Sequence, residues 1–238
     1  MSDNDPLLEV ARLVAEPGTT STWLNHWSLL HADWSALARM DFIGFDGTLL
    51  QLMLHRCGHD VERSSADLVL PLVLGHVIES DAPVALIGAA PGVAQRAAVR
   101  LAPRPVLAVD GYDELKALRA DPTALIRTKP RLIIVGLGAG LQEEVAKECA
   151  EHVPHAAVCT AGGWIDQFAA KEMYFPPIIH RLRLGWAWRI AHEPRRLIGR
   201  YTVEAAAFIS QAPRLIQRLS GLGAYTPLGI DTRRHPDR

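Results

Sequence analysis

Short apolar runs recur along the chain from residue 83, and each ends in glycine or a polar turn: PVALIG from 83, PVLAVDG from 105, RLIIVGLG from 131 and AAVCTAGG from 156. They are rich in valine or isoleucine and apolar at successive positions, the pattern of strands buried on both faces. GVAQRAAVRLA, YDELKALRA and QEEVAKECAEHV follow the first three and space their apolar residues as amphipathic helices do. MDFIGFDG from 40 predicts a further strand running into the helical TLLQLMLHRCG. Strands alternating with helices imply parallel strands joined by right-handed crossovers. The predicted fold is therefore α/β: a doubly wound, Rossmann-like, mostly parallel sheet.

The strand pattern stops near residue 163. HRLRLGWAWRIAHE, RRLIGRYTVEAAAFISQ and RLIQRLSGLG have helical spacing and predict two or three helices broken at Pro194 and Pro213. TPLGIDTRRHPDR predicts a frayed tail. The chain thus divides into an α/β domain at 1–176, a helical, arginine-rich appendage at 177–221 and a flexible tail at 222–238.

Charge sharpens that division. The formal net charge is -1, yet residues 1–176 carry 14 basic and 22 acidic side chains, net -8, while 177–238 carry 11 basic and 4 acidic, net +7. All eleven basic residues of the second part are arginine, the side chain suited to bidentate contact with phosphate and to lying over aromatic rings. A solvated basic face is the plain explanation; a surface for phosphate or anionic lipid is the functional one. No DNA- or RNA-binding module surrounds these arginines, so nucleic acid is not the expected partner.

Hydrophobic residues at 49% and charged residues at 21% exclude a solvated, disordered chain. Cys57, Cys149 and Cys159 are odd in number, widely spaced and in no CxxC arrangement, which points to a reducing compartment and no structural metal. MSDNDPLLEV lacks the basic start and apolar run of a signal peptide, and no apolar segment approaches about 18 residues. The expected location is the cytoplasm.

In a parallel sheet, ligands bind outside the carboxyl ends of the strands. Those ends carry Asp46-Gly47, Gly88 to Gly92, Asp110-Gly111-Tyr112, Gly136 to Gln142, and Gly162-Gly163 to Asp166. Glycine turns let a backbone approach a ligand, and a helix N-terminus offers its amides to phosphate, so a nucleotide site is expected on this rim. Taken alone, Asp46 also reads as a cap for the helix that follows it. A nicotinamide-dependent dehydrogenase is the rival. GLGAGL supplies G-x-G but puts Leu141 where a third small residue belongs, and GAAPG followed by Asp110 has the spacing without G-x-G.

FDG, Arg63, IGAAPGVAQRAA, DGYDE, VGLGAGLQEE, AGGWID, FPP and GWAWRIAHEPRRLIGRY, in this order, resemble the WecG/TagA/CpsF family of bacterial glycosyltransferases from about residue 40 to about residue 205. The resemblance implies inverting transfer of a sugar from a UDP-sugar to a saccharide on polyprenyl diphosphate, in the synthesis of a cell-surface polysaccharide such as capsule or exopolysaccharide. It implies no metal and no cofactor beyond the donor. Asp46 matches the catalytic base, which takes the acceptor's proton as it attacks opposite the leaving UDP. Arg63, with Arg189, Arg195, Arg196 and Arg200, would supply positive charge to the diphosphate or to an anionic membrane. Gly88, Pro91, Gly92, Gly111, Tyr112, Gly138, Gln142, Gly162, Gly163 and Asp166 match the nucleotide-sugar rim, with Tyr112 suited to stacking unless it packs in the core. The appendage would close the site at the inner face of the membrane, and self-association is left open.

Some positions depart from the family pattern. Gly140-Leu141 stands for its P-K, Tyr174-Phe175 for its R-A, Ala170 for a glycine and Gly185 for a glutamate. STWLNHW blurs the N-terminal threonine and asparagine motif, so Thr22 and Asn25 receive no role. A different donor or acceptor, or a descendant that binds without turnover, stays open.

Overall fold

The computed structural model describes residues 5–170, 199 and 202–234. The expectations placed on Arg189, Arg195, Arg196 and Arg200 lie outside these residues. Among the described residues the strands are β1 (Thr20–Leu24), β2 (Phe42–Phe45), β3 (Val84–Gly88), β4 (Val106–Val109), β5 (Leu132–Gly136), β6 (Ala157–Thr160), β7 (Ala224–Thr226) and β8 (Gly229–Asp231). They form one sheet in the order β4-β3-β5-β6-β1-β2-β8-β7, with the first six mutually parallel, β8 antiparallel to β2 and β7 antiparallel to β8.

The helices, in chain order, are α1 (Pro6–Val14), α2 (His26–Leu30), α3 (Trp34–Leu37), α4 (Thr48–Arg56), α5 (Ala66–Leu72), α6 (Val93–Val99), α7 (Asp113–Ala120), α8 (Thr123–Thr128), α9 (Leu141–His152), α10 (Trp164–Ala170) and α11 (Val203–Ser220). They coat both faces, as the strands require. Ala85, Ile87, Ile133 and Val135 face a core shared with α2, α4, α9 and α11; Val84, Leu86, Leu132 and Ile134 face a second core shared with α1, α5, α6 and α10. This is the doubly wound α/β sheet read from the sequence.

β1 is a central strand that the apolar pattern does not announce. Only Trp23 and Leu24 of TSTWL are apolar, yet all five residues are buried. Hydroxyl groups make that burial tolerable. Thr20 Oγ1 donates to the Asp41 carboxylate at 2.9 Å, and Thr22 Oγ1 lies 2.6 Å from Thr160 Oγ1.

Two expectations for the C-terminal part are corrected. α11 runs unbroken through Pro213. Its buried face of Phe208, Ala212, Ile216 and Leu219 keeps helical spacing on both sides of the proline and joins the core, which offsets the roughly 3 kcal/mol that an internal proline costs. The strand pattern also does not end near 163. Where a frayed tail was expected from 222, β7 and β8 form a hairpin whose Ile230 pairs with Ile43 of β2. The hairpin covers an edge that would otherwise stand open. Gly229 makes the approach feasible, because a Cβ there would lie 2.6 Å from the Ile43 carbonyl oxygen. Arg233 then reaches Glu16 at 2.7 Å, tying the last strand to the loop after α1.

All three cysteines are free thiols, with Cys57 exposed and the other two buried. Burial, with the nearby Glu148 charge, pushes the Cys149 thiol up to about 12, and burial also raises Cys159. A thiol reagent at neutral pH is therefore expected to add one label to the native protein, on Cys57, and three after unfolding; intact mass gives the count. Among the described residues no helix is long and apolar enough to cross a membrane.

Candidate functional site

A crevice opens at the carboxyl ends of a parallel sheet where neighbouring strands send their helices to opposite faces. That holds for every parallel neighbour pair here except β1 and β2, and the crevices of β3/β5 and β6/β1 are the two that carry the residues read from the sequence. α6 and α9 follow the neighbours β3 and β5 to opposite cores, and α10 and α2 do the same after β6 and β1.

The first crevice is closed by glycine contacts. A Cβ on Gly88, whose φ is 134°, would lie 2.2 Å from the Gly136 carbonyl oxygen, and one on Gly111 would lie 2.8 Å from Leu137 Cδ2. These two glycines are thus needed for packing, whatever they do for a ligand. Ala89 between them takes the left-handed conformation at φ 63°, held by its N–H to the Gly136 carbonyl at 3.1 Å and its carbonyl to the Gly111 N–H at 2.9 Å. Among the described residues, by contrast, a Cβ on Gly138 or Gly162 would meet nothing within 4 Å, and one on Gly163 would meet the Gln167 side-chain amide at 3.6 Å. Gly92 leads into α6 at φ 79° behind an exposed Pro91.

Tyr112 is 60% exposed, which removes core packing as its explanation. A reciprocal set of bonds holds its turn: the Tyr112 and Glu114 N–H groups donate to the buried Asp110 carboxylate at 2.8 and 3.3 Å, and the Asp110 N–H donates to Glu114 at 2.7 Å. The ring is left on the rim as a flat surface for stacking.

The second crevice and the end of β2 beside it carry the charged chemistry. Asp46 directly follows β2, its N–H donating to the Leu24 carbonyl at 2.7 Å. It does not cap α4, since the cap residue is Gly47 and no side chain caps that helix. Arg63 Nε instead donates to Asp46 Oδ1 at 3.0 Å, while Arg63 Nη2 donates to both oxygens of Asp67 at 2.8 and 3.0 Å. Burial alone would lower the Arg63 guanidinium, but the charges of Asp46 and Asp67 outweigh it and the group is raised above its ordinary value. Two carboxylates sharing one partly buried arginine fix each other's orientation. Asp67 went unnoticed in the sequence; the signal was its spacing, four residues after Arg63 at the start of α5.

The register Leu24↔Phe45 sets Asn25 next to Asp46, and a Cβ on Gly47 would lie 3.6 Å from that of Asn25. Asn25 caps α2, accepting the Trp27 and Ser28 N–H groups at 3.0 Å each. Gln142 is buried under the rim, accepting the Gly162 N–H at 3.2 Å and donating to Glu143 at 2.7 Å. Asp166 is exposed in the first turn of α10, beyond the Gly162-Gly163 turn. The structure therefore gathers Asp46, Arg63, Asp67 and Asn25 at neighbouring strand ends. Gln142 lies below that rim, and Tyr112 stands at the far end of the sheet on the β4 turn. A hollow of about 250 Å³ lined by Thr20, Arg39, Asp41, Lys147 and Glu151 lies at the opposite, amino end of β1. Among the described residues no group of three or more His, Cys, Asp or Glu is placed to hold a metal ion.

A sequence profile described as the glycosyl transferase WecG/TagA/CpsF family matches residues 5–221, beyond both ends of the stretch in which the motifs were read. The chain is also 25% identical over 217 residues to a UDP-Gal:alpha-D-GlcNAc-diphosphoundecaprenol beta-1,4-galactosyltransferase of Shigella boydii. That similarity spans 85% of this chain and 92% of the relative.

Proposed function

The chain belongs to the WecG/TagA/CpsF family of glycosyltransferases, and on that premise we propose that it moves a sugar, with inversion and without a metal, from a UDP-sugar to a saccharide on polyprenyl diphosphate. The observation that carries this reading is the Asp46–Arg63–Asp67 group on the carboxyl rim, where Asp46 has no capping duty and is oriented by an arginine.

In the proposed step, Asp46 takes the proton of the acceptor hydroxyl while that oxygen bonds to the anomeric carbon. The bond from carbon to the UDP oxygen breaks on the opposite side, and its electron pair leaves with UDP. Arg63 was read from the sequence as a stabiliser of the leaving diphosphate, but its Nε and Nη2 are committed to Asp46 and Asp67. Its proposed role is to orient the base. Charge on the departing diphosphate then falls to the Gly163 amide, since the Gly162 N–H is held by Gln142, and to the arginines of 177–221. Those arginines would also meet anionic lipid at the inner membrane face, where a polyprenyl-linked acceptor resides, in the synthesis of a surface polysaccharide.

Arg63→Lys separates the two roles of the arginine. A lysine keeps the charge but cannot bridge both carboxylates as a planar fork, so kcat should fall about tenfold or more while UDP affinity holds. A weakened UDP affinity with unchanged kcat would put Arg63 on the diphosphate instead.

The nicotinamide reading loses support at α9. A dinucleotide pyrophosphate would sit at that helix N-terminus, and the Glu143 carboxylate already takes the Gly140 N–H there at 2.7 Å. The donor is of hexose, N-acetylhexosamine or uronic acid type. UDP-galactose is the first to try, because the Shigella boydii relative is named for it. Calorimetric titration with UDP and UDP-sugars, with and without Mg²⁺, tests the donor site, and transfer to a polyprenyl-diphosphate-linked N-acetylglucosamine tests turnover. Micromolar binding independent of Mg²⁺ followed by transfer is expected. Binding without transfer would mark a binding-only descendant, and absence of both would overturn the reading.

A further inference from the structure

Three buried side chains from three elements meet under the β6/β1 crevice. The pairing Ser21↔Cys159 sets Thr22 of β1 beside Thr160 of β6, 2.6 Å apart. Glu143 descends on them from the first turn of α9, and it is only 1% exposed. Among the described residues its partners are neutral donors: the Gly140 N–H at 2.7 Å, Gln142 Nε2 at 2.7 Å and Thr22 Oγ1 at 3.3 Å. Gln142 passes the connection on, since its Oε1 accepts the Gly162 N–H at 3.2 Å.

One carboxylate thus ties together two glycine turns and a strand. Its Gly140 bond holds the turn between β5 and α9, its Gln142 bond reaches the turn between β6 and α10, and its Thr22 bond anchors both to β1. That strand ends at Asn25, next to Asp46. A carboxylate buried this deeply is costly to the fold when its partners are neutral, and an apolar residue of similar size would be cheaper. The turns it joins carry Gly138 and Gly162, the rim glycines at which a Cβ would meet none of the described residues within 4 Å.

We propose that Glu143 is a positioning residue, acting through Gln142 and Thr22 to hold the Gly138–Gly140 and Gly162-Gly163 turns at a fixed distance from the end of β1, the strand beside Asp46. The proposal rests on the donor-site reading above for its consequence in catalysis, but not for its geometry. Glu143→Gln keeps the shape and replaces one accepting oxygen by an NH₂ that cannot accept.

Backbone hydrogen exchange read separately over 138–142 and 160–164 tests the link. In Glu143→Gln both turns are expected to exchange faster together, while in Gln142→Met only the Gly162 turn should loosen. In transfer assays Glu143→Gln should raise the donor KM about tenfold or more, with kcat within about threefold. Faster exchange confined to the Gly140 side, or a donor KM unchanged by Glu143→Gln, would overturn the proposal. Should Glu143→Gln fail to fold, Gln142→Met carries the test: no loosening at Gly162 overturns the link. Exchange needs no donor, so an unaltered chain that binds no UDP-sugar would refute the proposed function and leave the exchange result to judge Glu143.

Discussion

Asp46→Asn is expected to lower transfer about 10²- to 10⁴-fold, the range for removing a positioned general base, with UDP affinity unchanged. The amide keeps an oxygen for Arg63 Nε but loses the basicity that removes the acceptor proton. The fold should survive the change. Arg63 keeps both bonds to Asp67, so the loss stays well below the roughly 3–5 kcal/mol of stranding a buried charge. Steady-state transfer, UDP calorimetry and a thermal melt on one preparation separate these quantities. Full transfer by this variant would remove Asp46 from the base role; lost UDP binding would place it in the donor site instead.

Gly88→Ala is expected to cause the largest loss of stability of any single methyl addition on the rim. At φ 134° an L residue is strained, at a cost of about 1–3 kcal/mol. The new Cβ would also lie 2.2 Å from the Gly136 carbonyl oxygen, a backbone atom that cannot swing aside. Overpacking adds about 1–3 kcal/mol, and at about 2–4 °C per kcal/mol in a chain of this size the melting midpoint should drop by about 10 °C. Gly138→Ala is the matched control, because a Cβ there meets none of the described residues within 4 Å. It should melt like the parent, so that any effect on donor KM reports contact with the ligand. A Gly88→Ala melt within about 2 °C of the parent would show that the β3–β5 contact can yield.

Strands buried on both faces were legible because each of their positions had to be apolar, as in VALIG and LIIVG. β1 was not, because its burial is bought with hydroxyl hydrogen bonds whose partners, Asp41, Glu143 and Thr160, lie elsewhere in the chain. The β7–β8 hairpin escaped for a related reason. Three-residue strands separated by Pro227-Leu228 have too few positions to show alternation, and their pairing to β2 is a tertiary fact. In the site, Asp46 and Arg63 were reached through a motif resemblance, whereas their pairing depends on α4 and the loop after it bringing the start of α5 back to the end of β2. Asp67 carried a local signal that was available but ambiguous, since pairs four residues apart are common on helix surfaces. Gln142 shows the limit of motif reading: its position at the rim was legible, and the direction of its amide, into the protein, was not.

β1 also sets the timetable of assembly. Thr20–Leu24 leaves the ribosome before the other described strands of the sheet, yet it sits between β2 and β6. β2 follows within a few dozen residues, but β6 is not synthesised until residue 157. Until then the polar strand TSTWL has one flank unpaired and its Thr22 hydroxyl without Thr160. Pairing across such a sequence distance slows closure and leaves β1 as an exposed edge on the nascent chain. A strand whose first three residues are threonine and serine rather than valine tolerates that wait in water, and becomes buried only when the partners of its hydroxyls have been made.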